Sequence, residues 1–139
     1  MLSTSLLAQN VARLSALTVL VVDDDYCIRG LWKHMLSNRI PGVLAMDAAD
    51  GVQALQLAHE LQPDLIIMDV AMPGLDGFQA TRRLKEDTAT SKIPVLAVTG
   101  KVFSSEDALA AGCDGYLLKP ISEDQLLGEI ARLLGGRLQ

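Results

Sequence analysis

Four apolar runs in this sequence end on side chains that could react: TVLVVDDD on Asp23 and Asp24, DLIIMD on Asp69, IPVLAVTG on Thr99 and GYLLKP on Lys119. Three carboxylates, a hydroxyl and an amine form a set suited to one divalent cation and one phosphoryl group. Close like charges near a protein surface repel strongly unless a cation joins them or one of them is protonated. An all-oxygen acidic set suits Mg2+, which keeps several waters and takes one or two carboxylates plus a substrate phosphate. With a phosphoryl group as third party, Mg2+ and Lys119 neutralise its oxygens and the Thr99 hydroxyl donates to another. Asp69 is then the nucleophile. Attack by an aspartate yields an acyl phosphate, and in-line transfer depends mostly on positioning and charge stabilisation.

That chemistry requires the ends of separate runs to meet, and the rest of the chain supplies a way. Apolar runs alternate with amphipathic segments from residue 18 onward, the pattern of βαβ units and a parallel sheet. Five strands are expected, at Thr18 to Asp23, Val43 to Asp47, Asp64 to Asp69, Pro94 to Thr99 and Gly115 to Lys119. The run Leu65-Ile66-Ile67-Met68 has no polar alternation, which predicts a strand covered on both faces. Helical spacing links Ile28, Leu31, Met35 and Leu36, then Val52, Leu55 and Ala58, then Phe78, Thr81 and Leu84. A shorter helix is expected from Ser104 to Ala111, stopped by Gly112 in a left-handed conformation. The last helix carries Leu126, Leu127, Ile130, Leu133 and Leu134 on one face, with Ser122 and Gln125 at capping-box spacing. Gly30 falls inside the first helix at a cost of roughly 1 kcal/mol relative to Ala, and nothing in the sequence accounts for it.

In an open parallel sheet all carboxyl ends lie on one edge, and ligands bind where strand order reverses. Right-handed crossovers with helices on both faces require such a reversal. An order of 2-1-3-4-5 places it between the first and third strands, which carry the carboxylates. Taken singly, each residue has a plainer role. A strand-end Asp often caps the next helix, as Asp25 is expected to do; Thr99 suits a strand interior; Lys119 suits a solvated surface. The coincidence of four complementary strand ends favours the joint reading. His34 and His59 have no ligand partners at useful spacing and are taken as structural or exposed.

At 139 residues the chain is expected to be one domain with a single core. Residues 1–17 read as an N-terminal extension in which Leu7, Val11 and Leu14 suggest a short helix; 18–135 form the domain and 136–139 a tail. The extension has no basic start and no unbroken apolar centre, so it does not read as a secretion signal. A net charge of −5 argues against a nucleic-acid surface. Cys27 and Cys113 have no metal-site spacing and read as reduced thiols of a cytoplasmic protein. No run is long enough to span a bilayer.

In order and spacing, VLVVDDD, LIIMDVAMPGLDG, VLAVTG and GYLLKP resemble the receiver domains of two-component response regulators, from about Thr18 to Leu134. The resemblance implies a flavodoxin-like, doubly wound (βα)5 α/β fold. It implies that Asp69 accepts a phosphoryl group from a sensor histidine kinase or a histidine phosphotransfer protein. Asp24, Asp69 and the backbone carbonyl of Ala71 would ligate Mg2+, with Asp23 holding a metal-bound water. Thr99 and Tyr116 match the family's switch pair, and Lys119-Pro120 its cis peptide, for which sequence alone gives a prior of only about 5–6%. Asp76 and Gly77 match the start of the third helix. Ala71 and Lys101 occupy positions that influence hydrolysis of the family's acyl phosphates, and Ala71 cannot position a water. A receiver catalyses its own phosphorylation and dephosphorylation and is not a turnover enzyme.

An aspartate-nucleophile phosphatase of the haloacid dehalogenase kind needs an acidic residue two positions after the nucleophile, where this chain has Ala71. A flavodoxin-type flavin module cradles phosphate in a Ser-, Thr- and Gly-rich first loop, and DDDYCIRG would repel an anion. The output is expected to be a changed surface around the fourth helix and fifth strand, read by a downstream protein target. A stand-alone regulator and a receiver excised from a hybrid histidine kinase are both open. So are a monomer and a dimer formed on phosphorylation.

Overall fold

The computed structural model describes residues 17–100 and 105–135. The expected N-terminal helix, Lys101, Ser104 and the tail 136–139 lie outside the described residues. Among the described residues five strands alternate with five helices. The strands are β1 (Thr18–Val22), β2 (Leu44–Ala48), β3 (Leu65–Asp69), β4 (Val95–Thr99) and β5 (Gly115–Leu118). The helices are α1 (Tyr26–Arg39), α2 (Gly51–Leu61), α3 (Gly77–Glu86), α4 (Ser105–Ala111) and α5 (Glu123–Leu134). The sheet is parallel throughout, in the order β2-β1-β3-β4-β5. This is the expected flavodoxin-like arrangement, with its reversal beside β1.

Side-chain alternation along the strands divides the core in two. Leu20, Val22, Ile66, Met68, Val95 and Ala97 pack with residues of α2, α3 and α4 on one face. Val19, Val21, Ile67, Leu96 and Val98 pack with Met35 and Leu36 of α1 and Leu126, Ile130 and Leu134 of α5 on the other. Every residue of β3 and β4 is buried, as the unbroken apolar runs require. Burying each large aliphatic side chain is worth roughly 1.5–3 kcal/mol. Polar groups are therefore displaced to the strand ends. At one edge the Asp64 carboxylate accepts the Thr18 N–H at 2.7 Å; the reactive candidates occupy the other.

The helix starts follow their local chemistry. Asp25 accepts the N–H groups of Cys27 and Ile28 and caps α1, as expected. Asp76 with Gln79, and Ser122 with Gln125, form capping boxes on α3 and α5, each cap worth about 1 kcal/mol. Gly112 follows α4 at φ +92°. Two of the apolar residues whose spacing marked these helices do not face the core: Leu31 is 64% exposed and so is Val52. One residue turns a helical side chain by about 100°, and the buried stripe of α1 runs through Trp32, Met35 and Leu36 instead. In α2 the small Ala54 and Ala58 face the sheet, and Val52, two residues before Ala54, points away. Strand limits also move by a residue: Asp23 and Lys119 lie just beyond β1 and β5, Asp64 and Pro94 just before β3 and β4, and β2 begins after Val43. Among the described residues no helix is long and apolar enough to cross a membrane.

Two glycines predict opposite outcomes. A Cβ on Gly77, whose N–H donates to the Val70 carbonyl at 2.9 Å, would collide with the Asp69 carbonyl oxygen and lie 2.7 Å from Val70 Cα. Both obstacles are backbone, so Gly77→Ala should cost roughly 2 kcal/mol or more. Nothing lies within 4 Å of a Cβ on Gly30, and nothing in the structure explains that glycine. Gly30→Ala should gain about 0.5–1 kcal/mol. Urea denaturation of both variants checks the pair.

Candidate functional site

Strand register brings the reactive ends level with one another. Val22 pairs with Met68, so Asp23 follows β1 where Asp69 ends β3. Asp69 pairs with Val98 and Thr99 with Leu118, which places Thr99 and then Lys119 one step further round the same edge. The ladder continues past the strands through Asp23 N–H to the Ala48 carbonyl at 3.2 Å and Lys119 N–H to the Thr99 carbonyl at 2.8 Å.

Asp23 is buried and held at every polar group. Its Oδ1 accepts the Asp25 N–H at 2.9 Å and its Oδ2 accepts Lys119 Nζ at 3.2 Å. Its carbonyl accepts Arg29 Nη1 at 2.9 Å. Asp24 is exposed, and Asp69 is 8% exposed, with Oδ1 accepting the Ala71 N–H at 3.4 Å. Asp23, Asp24 and Asp69 each offer a carboxylate oxygen within 4.8 Å of the others. Thr99 is fully buried at the end of β4, and Lys119 precedes a cis peptide to Pro120. Tyr116 is half-buried against the core face of α2 to α4 and lines a cavity of about 200 Å³ with Ser105, Ala108, Leu109 and Cys113.

Like charges about 5 Å apart repel by roughly 3 kcal/mol at the effective dielectric of a protein rim. The consequence falls on Asp69. Burial and then the Asp23 charge push its carboxyl up to about 6, with Asp24 adding to the rise; Lys119 and the Ala71 N–H act against it. A cation would reverse this balance. Mg2+ takes oxygen ligands at about 2.1 Å, and one carboxylate oxygen from each of the three aspartates lies within 4.8 Å of the others. The all-oxygen donor set, open on the Asp24 side, fits such an ion.

The structure therefore brings together Asp23, Asp24, Asp69 and Lys119, with Thr99 on the neighbouring strand end. Ala71 reaches Asp69 through its N–H. His34 and His59 are exposed, away from the cluster, and His34 bonds Asn38 one turn on. Sequence reasoning missed Arg29, which grips the Asp23 carbonyl, and Asp47, which grips Arg29. The available signals were a basic residue in the first turn after the acidic run and a charged residue within an edge strand.

Residues 19–131 match the response regulator receiver domain family. Among relatives, the chain is 38% identical over 120 residues to the protein PilH of Pseudomonas aeruginosa, covering 85% of this chain and 98% of that one. It is 36% identical over 118 residues to the DNA-binding dual master transcriptional regulator RpaA of Synechocystis, covering 84% of this chain but only 48% of that protein. The solved structure of the chemotaxis protein CheY4 of Vibrio cholerae is 32% identical, with a TM-score of 0.78 over 85% of this chain and 98% of that one. The receiver domain of a sensor histidine kinase from Pseudomonas aeruginosa, solved with a magnesium ion coordinated in the active site cleft, is 30% identical at a TM-score of 0.77, covering 86% and 98%. Matched span, strand order and an acidic cleft at the point of reversal agree, and the chain belongs to the response regulator receiver family.

Proposed function

We propose that this receiver takes a phosphoryl group from a phosphohistidine donor, a sensor histidine kinase or a histidine phosphotransfer protein, onto Asp69, and thereby switches a surface that a downstream protein reads. The observation that carries the proposal is the half-buried nest of Asp23, Asp24 and Asp69 with Lys119 bonded to its inner member. The magnesium ion in the cleft of the Pseudomonas receiver supports the same ion here. Asp24, Asp69 and the Ala71 carbonyl would hold it, with Asp23 on a bound water. Mg2+ supplies charge neutralisation for the phosphoryl oxygens and for the crowded carboxylates.

This chain's residues do the rest. An Asp69 Oδ attacks phosphorus, the O–P bond forms as the N–P bond to the donor imidazole breaks, and the electron pair leaves with the imidazole. Lys119 neutralises one phosphoryl oxygen and the Thr99 hydroxyl donates to another. Thr99 drawn toward the phosphoryl group makes room for Tyr116 to turn inward behind it, which alters the surface of α4 and β5. The acyl phosphate is then lost to water. Ala71 offers no group to orient that water, and it is also the position where a phosphatase would need an acid. Net charge of −5 favours a protein target over nucleic acid. Residues 18–135 form the receiver unit, flanked by 1–17 and 136–139. A receiver within a longer protein, such as a hybrid histidine kinase, is a second reading, favoured by the similarity to the receiver of a sensor histidine kinase.

Acetyl phosphate with Mg2+ should add one phosphoryl group to the wild type and none to Asp69→Asn, read by intact mass spectrometry. The phosphorylated protein should persist for minutes or longer; a lifetime of seconds in Mg2+ contradicts the role given to Ala71. Stability should also respond to pH. The folded Asp69 carboxyl titrates near 6, above its ordinary 3.8. Its contribution is thus complete below the unfolded value and is lost as pH rises through 6. In metal-free buffer, Asp69→Asn should be more stable than wild type at neutral pH by roughly 1–3 kcal/mol. The difference should shrink toward pH 4, measured by urea denaturation at both pH values.

A further inference from the structure

Arg29 lies in the first turn of α1 and joins the turn after β1 to strand β2 through one guanidinium. Nη1 donates to the Asp23 carbonyl at 2.9 Å, and Nε donates to Asp47 Oδ2 at 2.9 Å. The side chain is only 12% exposed, and its Cζ lies 5.6 Å from the centroid of the Tyr26 ring. Asp47 belongs to β2, pairs in register with Val21, and also accepts Lys33 Nζ at 3.1 Å. Burial works against its ionisation, but the hydrogen bonds from Arg29 and Lys33 outweigh that and hold the carboxyl below its usual range. An ionised carboxylate on the edge strand thus anchors a cation whose second donor grips the main chain of the acid site. The edge strand holds Asp23 twice: directly, through the Ala48 carbonyl, and indirectly, through Asp47 and Arg29.

We propose that Arg29, braced by Asp47, is a positioning residue for the divalent-cation site, holding the turn after β1 so that the carboxylates of Asp23 and Asp24 face Asp69. The inference rests on the reading of the cleft as a Mg2+-dependent phosphoacceptor site and adds to it a side chain bonded to the site's backbone instead of to the ion. Two effects of Arg29 oppose each other. Its positive charge beside the cluster disfavours a second cation, so loss of charge alone would tighten Mg2+ binding. Its grip on the Asp23 carbonyl preorganises the ligands, so loss of the grip weakens binding. The sign of the change separates the two. Only a rigid fork reaches both acceptors with two N–H groups of one plane; a lysine keeps the charge but not the fork.

Mg2+ titrated calorimetrically into the full chain tests this, with thermal melting in metal-free buffer confirming that each variant is folded. Arg29→Gln should weaken Mg2+ binding about tenfold, as loss of an outer partner of metal ligands typically does, and Arg29→Lys should weaken it in the same direction. Lys33→Met removes a nearby positive charge and the other partner of Asp47 without touching Asp23, and should not weaken binding. Binding by Arg29→Gln as tight as wild type or tighter overturns the proposal, as does equal weakening by Lys33→Met. If Arg29→Gln does not fold, Arg29→Lys carries the same test. Phosphoryl uptake by the wild type with unweakened Mg2+ binding by Arg29→Gln overturns the positioning role alone. Weakened binding by Arg29→Gln, with no phosphoryl uptake by the wild type, supports positioning and overturns only the acceptor reading.

Discussion

Repulsion among three carboxylates held at the end of a buried sheet is the constraint around which this molecule is arranged. Asp23 and Asp69 are both buried, and their oxygens come within 4.8 Å of each other and of Asp24. No strand can relieve that crowding by moving, because β1 and β3 are locked to each other in register and covered on both faces. The relief is instead chemical. Lys119 bonds Asp23, the Asp25 and Ala71 N–H groups bond Asp23 and Asp69, and burial with the remaining charge raises the Asp69 carboxyl to about 6. What is left is a crowded set of carboxylate oxygens, the kind of donor set that a divalent cation would neutralise.

The same architecture separates stability from chemistry. Apolar residues of β3 and β4 fill two core layers, and the helices that cover them are capped by their own local residues, Asp25, Asp50, Asp76 and Ser122. Polar groups gather where the strands stop. At the opposite edge they serve the fold: Asp64 takes the first N–H of β1, and Lys85 bonds the carbonyls of Ser91 and Ile93 and the carboxylate of Asp114. Similar side chains therefore do different work according to which end of the sheet they occupy.

Much of the fold was legible because it depends on local signals. Alternating apolar runs and amphipathic segments specified the strands and helices, and Asp25 and Ser122 marked helix starts where they stand. Leu31 and Val52, exposed on the helices whose spacing they marked, show the limit of periodicity. An apolar side chain at acceptable spacing does not reveal how far its helix is rotated, since the small Ala54 and Ala58 can be the ones that let a helix approach the sheet. Arg29 and Asp47 were hidden for a related reason. Their partnership spans 18 residues and depends on the pairing of β2 with β1.

By itself the sequence determined which segments become strands, their alternation with helices along the chain and the set of reactive side chains at the strand ends, because each follows from short-range chemistry; a parallel sheet then follows from the handedness of crossovers. Only the tertiary structure decided how those ends meet. Register sets Asp23 level with Asp69, packing leaves Asp24 open while burying Asp23, and the Lys119 and Arg29 contacts close on Asp23 from sequence distances of 96 and 6 residues. Distances between charges depend on which strands lie side by side and how far each is slid along its neighbour, and neither quantity is written in any local stretch of chain.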